Sequence, residues 1–119
     1  MARLILSETN LHEKIKSKVG GGHQDVIDEV VHAISHNDVV VIGMGQNPFC
    51  RSAKKNLDSS GVEYQYLEYG SYFSQWKPRL ALKMWSGWAT LPMIFVKGSL
   101  IGGNHELARL LSTGELSNI

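Results

Sequence analysis

The side chain best suited to covalent chemistry is Cys50, the single cysteine among 119 residues. It closes the stretch Gly43-Met44-Gly45-Gln46-Asn47-Pro48-Phe49-Cys50, which follows the apolar run Asp38-Val39-Val40-Val41-Ile42 and precedes a helical pattern. A strand that ends in a glycine-containing turn, with proline opening the next helix, sets the turn at the carboxyl end of a sheet. Cys50 then lies in the first helical turn, where the positive end of the helix dipole favours a thiolate, so it is a candidate catalytic group. The opposing reading is a buried structural cysteine, and the residues divide evenly between the two. If Pro48 is the first helical residue, Asn47 is the N-cap, and its side-chain oxygen can accept from the N–H of Phe49 or Cys50. Such a cap is worth on the order of 1 kcal/mol.

Other reactive types are sparse. His32 and His36 stand one helical turn apart and have metal-ligand spacing, but they fall largely off the apolar stripe of their helix and lack a third ligand. A solvated face is the favoured reading, and no metal is expected. Gly102-Gly103 precedes the last helical pattern, where bare backbone admits a ligand and N–H groups at a helix start bind a carboxylate. One cysteine excludes a dithiol cycle within the chain and fits a reducing, cytoplasmic compartment.

The elements that must position these groups follow from periodicity. Hydrophobic content of 43% and charged content of 19% are ordinary for a globular domain, and the length allows one core. A net charge of +1 with scattered basic residues gives no sign of a nucleic-acid partner, and no apolar run is long enough to span a membrane. Residues 1–22 read as an N-terminal extension: Arg3-Leu4-Ile5-Leu6 is a short strand or an apolar anchor, and Leu11, Ile15 and Val19 suggest a weakly amphipathic helix. Gly20-Gly21-Gly22 then forms a flexible joint before the domain at 23–119. Val26, Ile27, Val30, Val31 and Ile34 form a helical stripe that stops at Asn37, and Val39–Ile42 reads as a buried strand. A helix from Pro48 closes at Gly61, and Glu63–Tyr69 alternates as a second strand. This strand–helix–strand unit predicts a parallel crossover. A helix through about Trp85, a buried strand Met93–Val96, a short strand Leu100-Ile101 and a helix ending near Gly114 complete the order. The resulting class is α/β.

This order of elements, with these motifs, resembles the glutaredoxins of the thioredoxin fold, and the match covers about residues 25 to 116. Asn47-Pro48-Phe49-Cys50 lies where the family has Cys-Pro-Tyr/Phe-Cys. Trp88-Ala89-Thr90-Leu91-Pro92 looks like the segment that carries the family's cis proline, and Lys97-Gly98 with Ile101-Gly102-Gly103 looks like the hairpin and double glycine of the glutathione site. Arg79, Lys83 and Thr113-Gly114-Glu115-Leu116 are similar to the monothiol class. The resemblance implies a mixed four-stranded sheet with helices on both faces, and glutathione or a glutathionylated protein as ligand. It further implies main-chain binding by Leu91 before a cis Pro92, and a γ-glutamyl end held at Gly103 by the N–H groups of Asn104 and His105. The family's acidic position is His105 here, which leaves the ligand's amine without its usual partner. Arg79 is implied as a fork for the glycine carboxylate, against the plain reading of an exposed surface arginine.

The resemblance also shows what is changed. The family's attacking cysteine is replaced by Asn47, which has no nucleophilic sulfur and is no soft metal ligand. A lysine often found three residues earlier is Met44. The leading expectation is a glutathione-type groove with weak or absent thiol–disulfide oxidoreductase activity, in a monomer or weak dimer. The alternative is a glutathione-dependent oxidoreductase that serves redox electron transfer through Cys50. Less favoured are an iron–sulfur cluster carrier, which lacks its thiolate ligand, and a partner-binding module built on the aromatic residues between Tyr64 and Trp88.

Overall fold

The computed structural model describes residues 3–19 and 22–116. The expected glycine joint therefore falls largely outside it, since Gly20 and Gly21 are not among the described residues. From Gln24 onward the chain forms α1 (Gln24–His36), β1 (Val39–Gly43), α2 (Pro48–Ser59), β2 (Gln65–Glu68) and α3 (Trp76–Ser86). It continues through β3 (Met93–Val96), β4 (Ser99–Gly102) and α4 (Asn104–Thr113).

The strand order is β2-β1-β3-β4. β1 pairs parallel with β2, as the crossover through α2 requires, and antiparallel with β3, which in turn pairs antiparallel with β4. Every residue of β1 is buried, which explains why it reads as an unbroken apolar run. Its alternating side chains divide the interior into two cores. Val40 and Ile42 pack with Val30 and Ala33 of α1 and Leu82 of α3, whereas Val39 and Val41 pack with Ala53 and Leu57 of α2 and Leu107 of α4. Helices thus cover both faces of a mixed, four-stranded thioredoxin-like sheet.

Boundaries follow local chemistry. Asn37 ends α1 and returns its side-chain amide to the Ala33 carbonyl at 2.9 Å. Gly87 and Gly114 close α3 and α4 at φ 78° and 77°, a region where a Cβ is costly. The second strand is shorter than the alternation suggested, Gln65–Glu68, because pairing with β1 ends at Gly43.

Residues 3–19 depart from expectation. Arg3-Leu4-Ile5-Leu6 is not a strand, and the expected amphipathic helix over Leu11–Val19 is replaced by two 3₁₀ helices, Glu8–Asn10 and Glu13–Lys18. Ile15 and Val19 remain about half exposed. A helix this short gains little without a core to bury its stripe. The clear attachment is Arg3, whose guanidinium donates to the Ser86 carbonyl at 3.0 Å and lies where a Cβ on Gly87 would otherwise sit.

Candidate functional site

Strand register brings the sequence-predicted residues to one end of the sheet. Gly43 pairs with Glu68 at the carboxyl ends of β1 and β2, while Ile42 pairs with Met93 at the start of β3 and Ile94 with Gly102 at the end of β4. The Asn47 turn, the Leu91-Pro92 step and the double glycine therefore leave the sheet on the same side. The Leu91–Pro92 bond is cis, as the resemblance implied. Pro92 is fully buried and Leu91 nearly so, and the Pro92 carbonyl lies 3.2 Å from where Gly103 would carry a Cβ. A side chain at 103 would crowd that carbonyl unless it gave way by a few tenths of an ångström, so glycine eases the close approach of the proline step to the start of α4.

The turn after β1 is stitched to the segment after β2. Tyr69 N donates to the Gly43 carbonyl at 2.9 Å, and Gly45 N donates to the Gly70 carbonyl at 2.6 Å. The turn delivers Asn47 to the helix start with its side chain 9% exposed. Oδ1 of Asn47 accepts from Phe49 N at 2.9 Å and from Cys50 N at 3.0 Å, while its carbonyl accepts from Arg51 N at 3.2 Å. Pro48 has no N–H. Each main-chain donor from Phe49 to Arg51 thus has an acceptor on Asn47, and the cap anticipated from sequence is present.

Cys50 follows the second of its two readings, the buried cysteine. Its side chain is 1% exposed and belongs to the core cluster that contains Leu91, Met93 and Met44. Burial pushes the thiol up from its ordinary value, outweighing the lowering effects of the Met44 backbone and the Lys54 ammonium; Glu68 adds to the rise. A position in the first helical turn favours a thiolate only when the N–H groups and the sulfur share an open site. Here Asn47 has taken the donors and the core has taken the sulfur. Tyr66 closes the other side: a Cβ on Gly43 would fall 2.7 Å from its hydroxyl and 3.0 Å from Cys50 Sγ. Tyr66 donates to Glu68 Oε1 at 3.0 Å, and its ring carries the Lys54 ammonium 4.1 Å above the centroid.

Arg79 is not the exposed surface arginine of the plain reading. It is 7% exposed, and Nη1 donates to the carbonyls of Tyr69 at 2.8 Å and Ser74 at 2.5 Å. The guanidinium therefore anchors the loop between β2 and α3, and a fork for a carboxylate would have to use the remaining Nε and Nη2 donors. Tyr69 reinforces the same loop from the other side, its hydroxyl donating to Glu29 of α1. Burial, followed by that bond to Glu29, raises the phenol above its ordinary range. None of these partners was legible in sequence, being 5 to 40 residues away.

At the double glycine, Gly102 adopts φ 116° and Gly103 is the N-cap of α4. Asn104 and His105 open the helix, where main-chain N–H groups have no acceptor one turn earlier. The Asn104 side chain bridges to α2 instead, donating to Ser52 Oγ at 3.2 Å and accepting from Asn56 at 3.0 Å. Sequence reasoning missed Glu106. Its carboxylate accepts from Gly103 N at 2.8 Å, so an acidic group does stand at this helix start, one position beyond His105. The signal was available: glutamate at the third helical position is half of a capping box. Nearby, Trp88 Nε1 is a buried donor with no hydrogen-bond partner among the described residues, and it lies 3.7 Å from the Cβ position of Gly103.

His32 and His36 stack at 4.1 Å between ring centroids on the exposed side of α1, and His36 Nδ1 is 2.8 Å from the His32 carbonyl. Among the described residues, no three His, Cys, Asp or Glu side chains are placed to hold a metal ion. No helix among them is long and apolar enough to cross a membrane.

A mixed sheet layered by helices, with a capped turn, a cis proline and a double glycine converging at one edge, defines a thioredoxin-fold protein. Solved structures agree on the fold. The chain superposes on oxidized glutaredoxin 2 from Chlamydomonas reinhardtii with TM-score 0.69 and 26% identity, over 82% of this chain and 92% of the other. It superposes on the buckwheat glutaredoxin–glutathione complex with TM-score 0.68 and 24% identity, over 80% and 86%. The glutaredoxin family model matches residues 39–101. A glutaredoxin-like protein of Dictyostelium discoideum is 46% identical over 98% of this chain and 92% of its own length, and the mitochondrial glutaredoxin-2 of Bos taurus is 31% identical over 93% and 71%. The chain belongs to the glutaredoxin family, and its function is of the glutaredoxin-like redox kind.

Proposed function

We propose that this chain binds glutathione, or the glutathionyl group of a modified protein, along a surface formed by the main chain at Leu91 and the start of α4, with weak or absent standard oxidoreductase turnover. The observation that carries the second half is at Asn47. In a thiol–disulfide exchange, a thiolate attacks one sulfur of a mixed disulfide and the other sulfur leaves as a thiolate. Position 47 holds no sulfur, and its oxygen occupies the N–H donors that would stabilise a thiolate there. Turnover through Cys50 is disfavoured by its 1% exposure and its raised pKa.

The binding half rests on features that suit a γ-glutamyl peptide. Main chain at Leu91 leads into the cis bond, and the N–H groups of Asn104 and His105 at the start of α4 suit the carboxylate of the γ-glutamyl end. The Glu106 carboxylate suits the ligand's ammonium group, and the unpartnered indole N–H of Trp88 offers a donor beside Gly103. Isothermal calorimetry with reduced glutathione tests this half; the absence of heat at millimolar ligand overturns it. A hydroxyethyl-disulfide reduction assay tests the other half: wild type and Cys50→Ser should be equally inactive, and turnover lost only in Cys50→Ser would establish Cys50 chemistry instead.

A further inference from the structure

Gly43 is the last residue of β1, and alternation puts its side-chain position on the face that carries Val39 and Val41, towards α2. Tyr66 stands opposite Val41 in β2 and packs against the same core, so its ring reaches along the sheet into the space that Gly43 leaves. A Cβ at position 43 would lie 2.7 Å from the Tyr66 hydroxyl, 2.9 Å from its Cε2 and 3.0 Å from Cys50 Sγ. Phenol and thiol thus meet in the place of an absent side chain, and a larger residue at 43 would have to displace them.

The two sides of the sulfur are covered differently. The core cluster that holds Cys50 also holds Met44, Leu91 and Met93, all buried. Tyr66 is only half-buried, with core on one side and water on the other. What keeps it in place lies towards the surface: its hydroxyl donates to the exposed Glu68 at 3.0 Å, and the Lys54 ammonium sits 4.1 Å from the centre of its ring. Both contacts are of modest strength where water competes.

We infer that Tyr66 is a lid over Cys50, latched by Glu68 and Lys54, and that this one side chain decides whether the thiol meets solvent.

The inference rests on the reading that Cys50 is inert in the native chain, and it names what makes it so. Without the ring, the sulfur keeps an environment that suits a thiolate. The first turn of α2, the Met44 main chain and the Lys54 ammonium all act in that direction, against Glu68. Burial is the effect that outweighs them, and on the Gly43 side of the sulfur the cover is Tyr66. Swinging the ring outward breaks one hydrogen bond and one cation–π contact and leaves the pairing of β2 with β1 in place. Exposing the sulfur past Leu91 or Met93 would instead dismantle the core beneath α1 and α3. The lid is therefore the easier route to the thiol.

Alkylation of the full chain by iodoacetamide near neutral pH, followed by mass spectrometry, tests the inference. Tyr66→Ala should label Cys50 at least about tenfold faster than wild type, with circular dichroism showing the fold intact. Tyr66→Phe, which keeps the ring but loses the bond to Glu68, and Glu68→Ala, which removes the acceptor, should each fall between the two. Leu57→Ala separates the lid from general loosening: it opens a cavity in the core on the same face, about 10 Å along α2 from the sulfur, and should label at close to the wild-type rate. A slow wild type with an equally slow Tyr66→Ala overturns the lid, as does a Leu57→Ala protein that labels as fast as Tyr66→Ala. Should Tyr66→Ala fail to fold, wild-type rates in both Tyr66→Phe and Glu68→Ala overturn it. A wild type that labels as fast as the urea-unfolded chain overturns the reading that Cys50 is inert, and the lid with it.

Discussion

Replacing Asn47 with alanine removes one acceptor from two main-chain donors, Phe49 N at 2.9 Å and Cys50 N at 3.0 Å. Loss of an N-cap ordinarily costs about 1 kcal/mol. Asn47 is only 9% exposed and the bond from Cys50 N is buried, so water replaces the lost acceptor poorly. A buried donor left without a partner costs about 1–3 kcal/mol, which places Asn47→Ala near 2 kcal/mol. With an unfolding entropy of about 2.1 cal/mol/K per residue, a chain of 119 residues unfolds with roughly 0.25 kcal/mol/K, so Tm falls by about 8 °C. Differential scanning calorimetry on wild type, Asn47→Ala and Asn47→Asp reads this directly, since aspartate retains an acceptor at the helix start. An Asn47→Ala protein melting within about 2 °C of wild type would refute the reasoning, because the cap would then contribute nothing.

Three further outcomes follow from the same geometry. Asn47→Cys puts sulfur where two N–H donors already converge, so its thiol should ionise below the ordinary range and hydroxyethyl-disulfide turnover should rise at least about tenfold over wild type. Cys50 should alkylate slowly near neutral pH and more readily only as the pH climbs above its ordinary value of 9.0. The linked stability has a definite sign: the unfolded thiol ionises near that value while the folded one stays protonated. Its contribution is therefore whole below about pH 9 and is lost as pH rises through the higher folded value, which urea melts across alkaline pH would show against Cys50→Ala. Arg79→Leu strands the Tyr69 and Ser74 carbonyls, costing about 2–3 kcal/mol and speeding proteolysis within residues 69–75, and Arg79→Lys should recover part of the loss, because both bonds come from the single nitrogen Nη1 and an ammonium carries three donors.

The split between what was readable and what was not follows sequence separation. Asn47 capping Phe49 and Cys50 spans two and three residues, so residue types and a following proline suffice to predict it. The same holds for β1, whose two-sided burial is written as an unbroken apolar run. Glu106 is equally local, since its carboxylate returns to Gly103 N only three residues back. The N-terminal stripe of Leu11, Ile15 and Val19 misled, because periodicity records what a helix would bury and not whether a surface exists to receive it.

The amino-acid order by itself determined the strands and their flanking helices and the absence of sulfur at position 47, since each rests on local pattern or residue identity, while the family and the cis proline came through the resemblance that the motifs carry. Only the tertiary structure decided the state of Cys50 and the work of Arg79. A helix start predicts a favoured thiolate, but desolvation by Met44, Leu91 and Met93, which arrive from other parts of the chain, reverses the sign. A cationic side chain predicts an anion, but two carbonyls brought near by the loop after β2 hold it first. Burial and long-range hydrogen bonds are properties of assembled neighbours, and those neighbours are chosen by the fold.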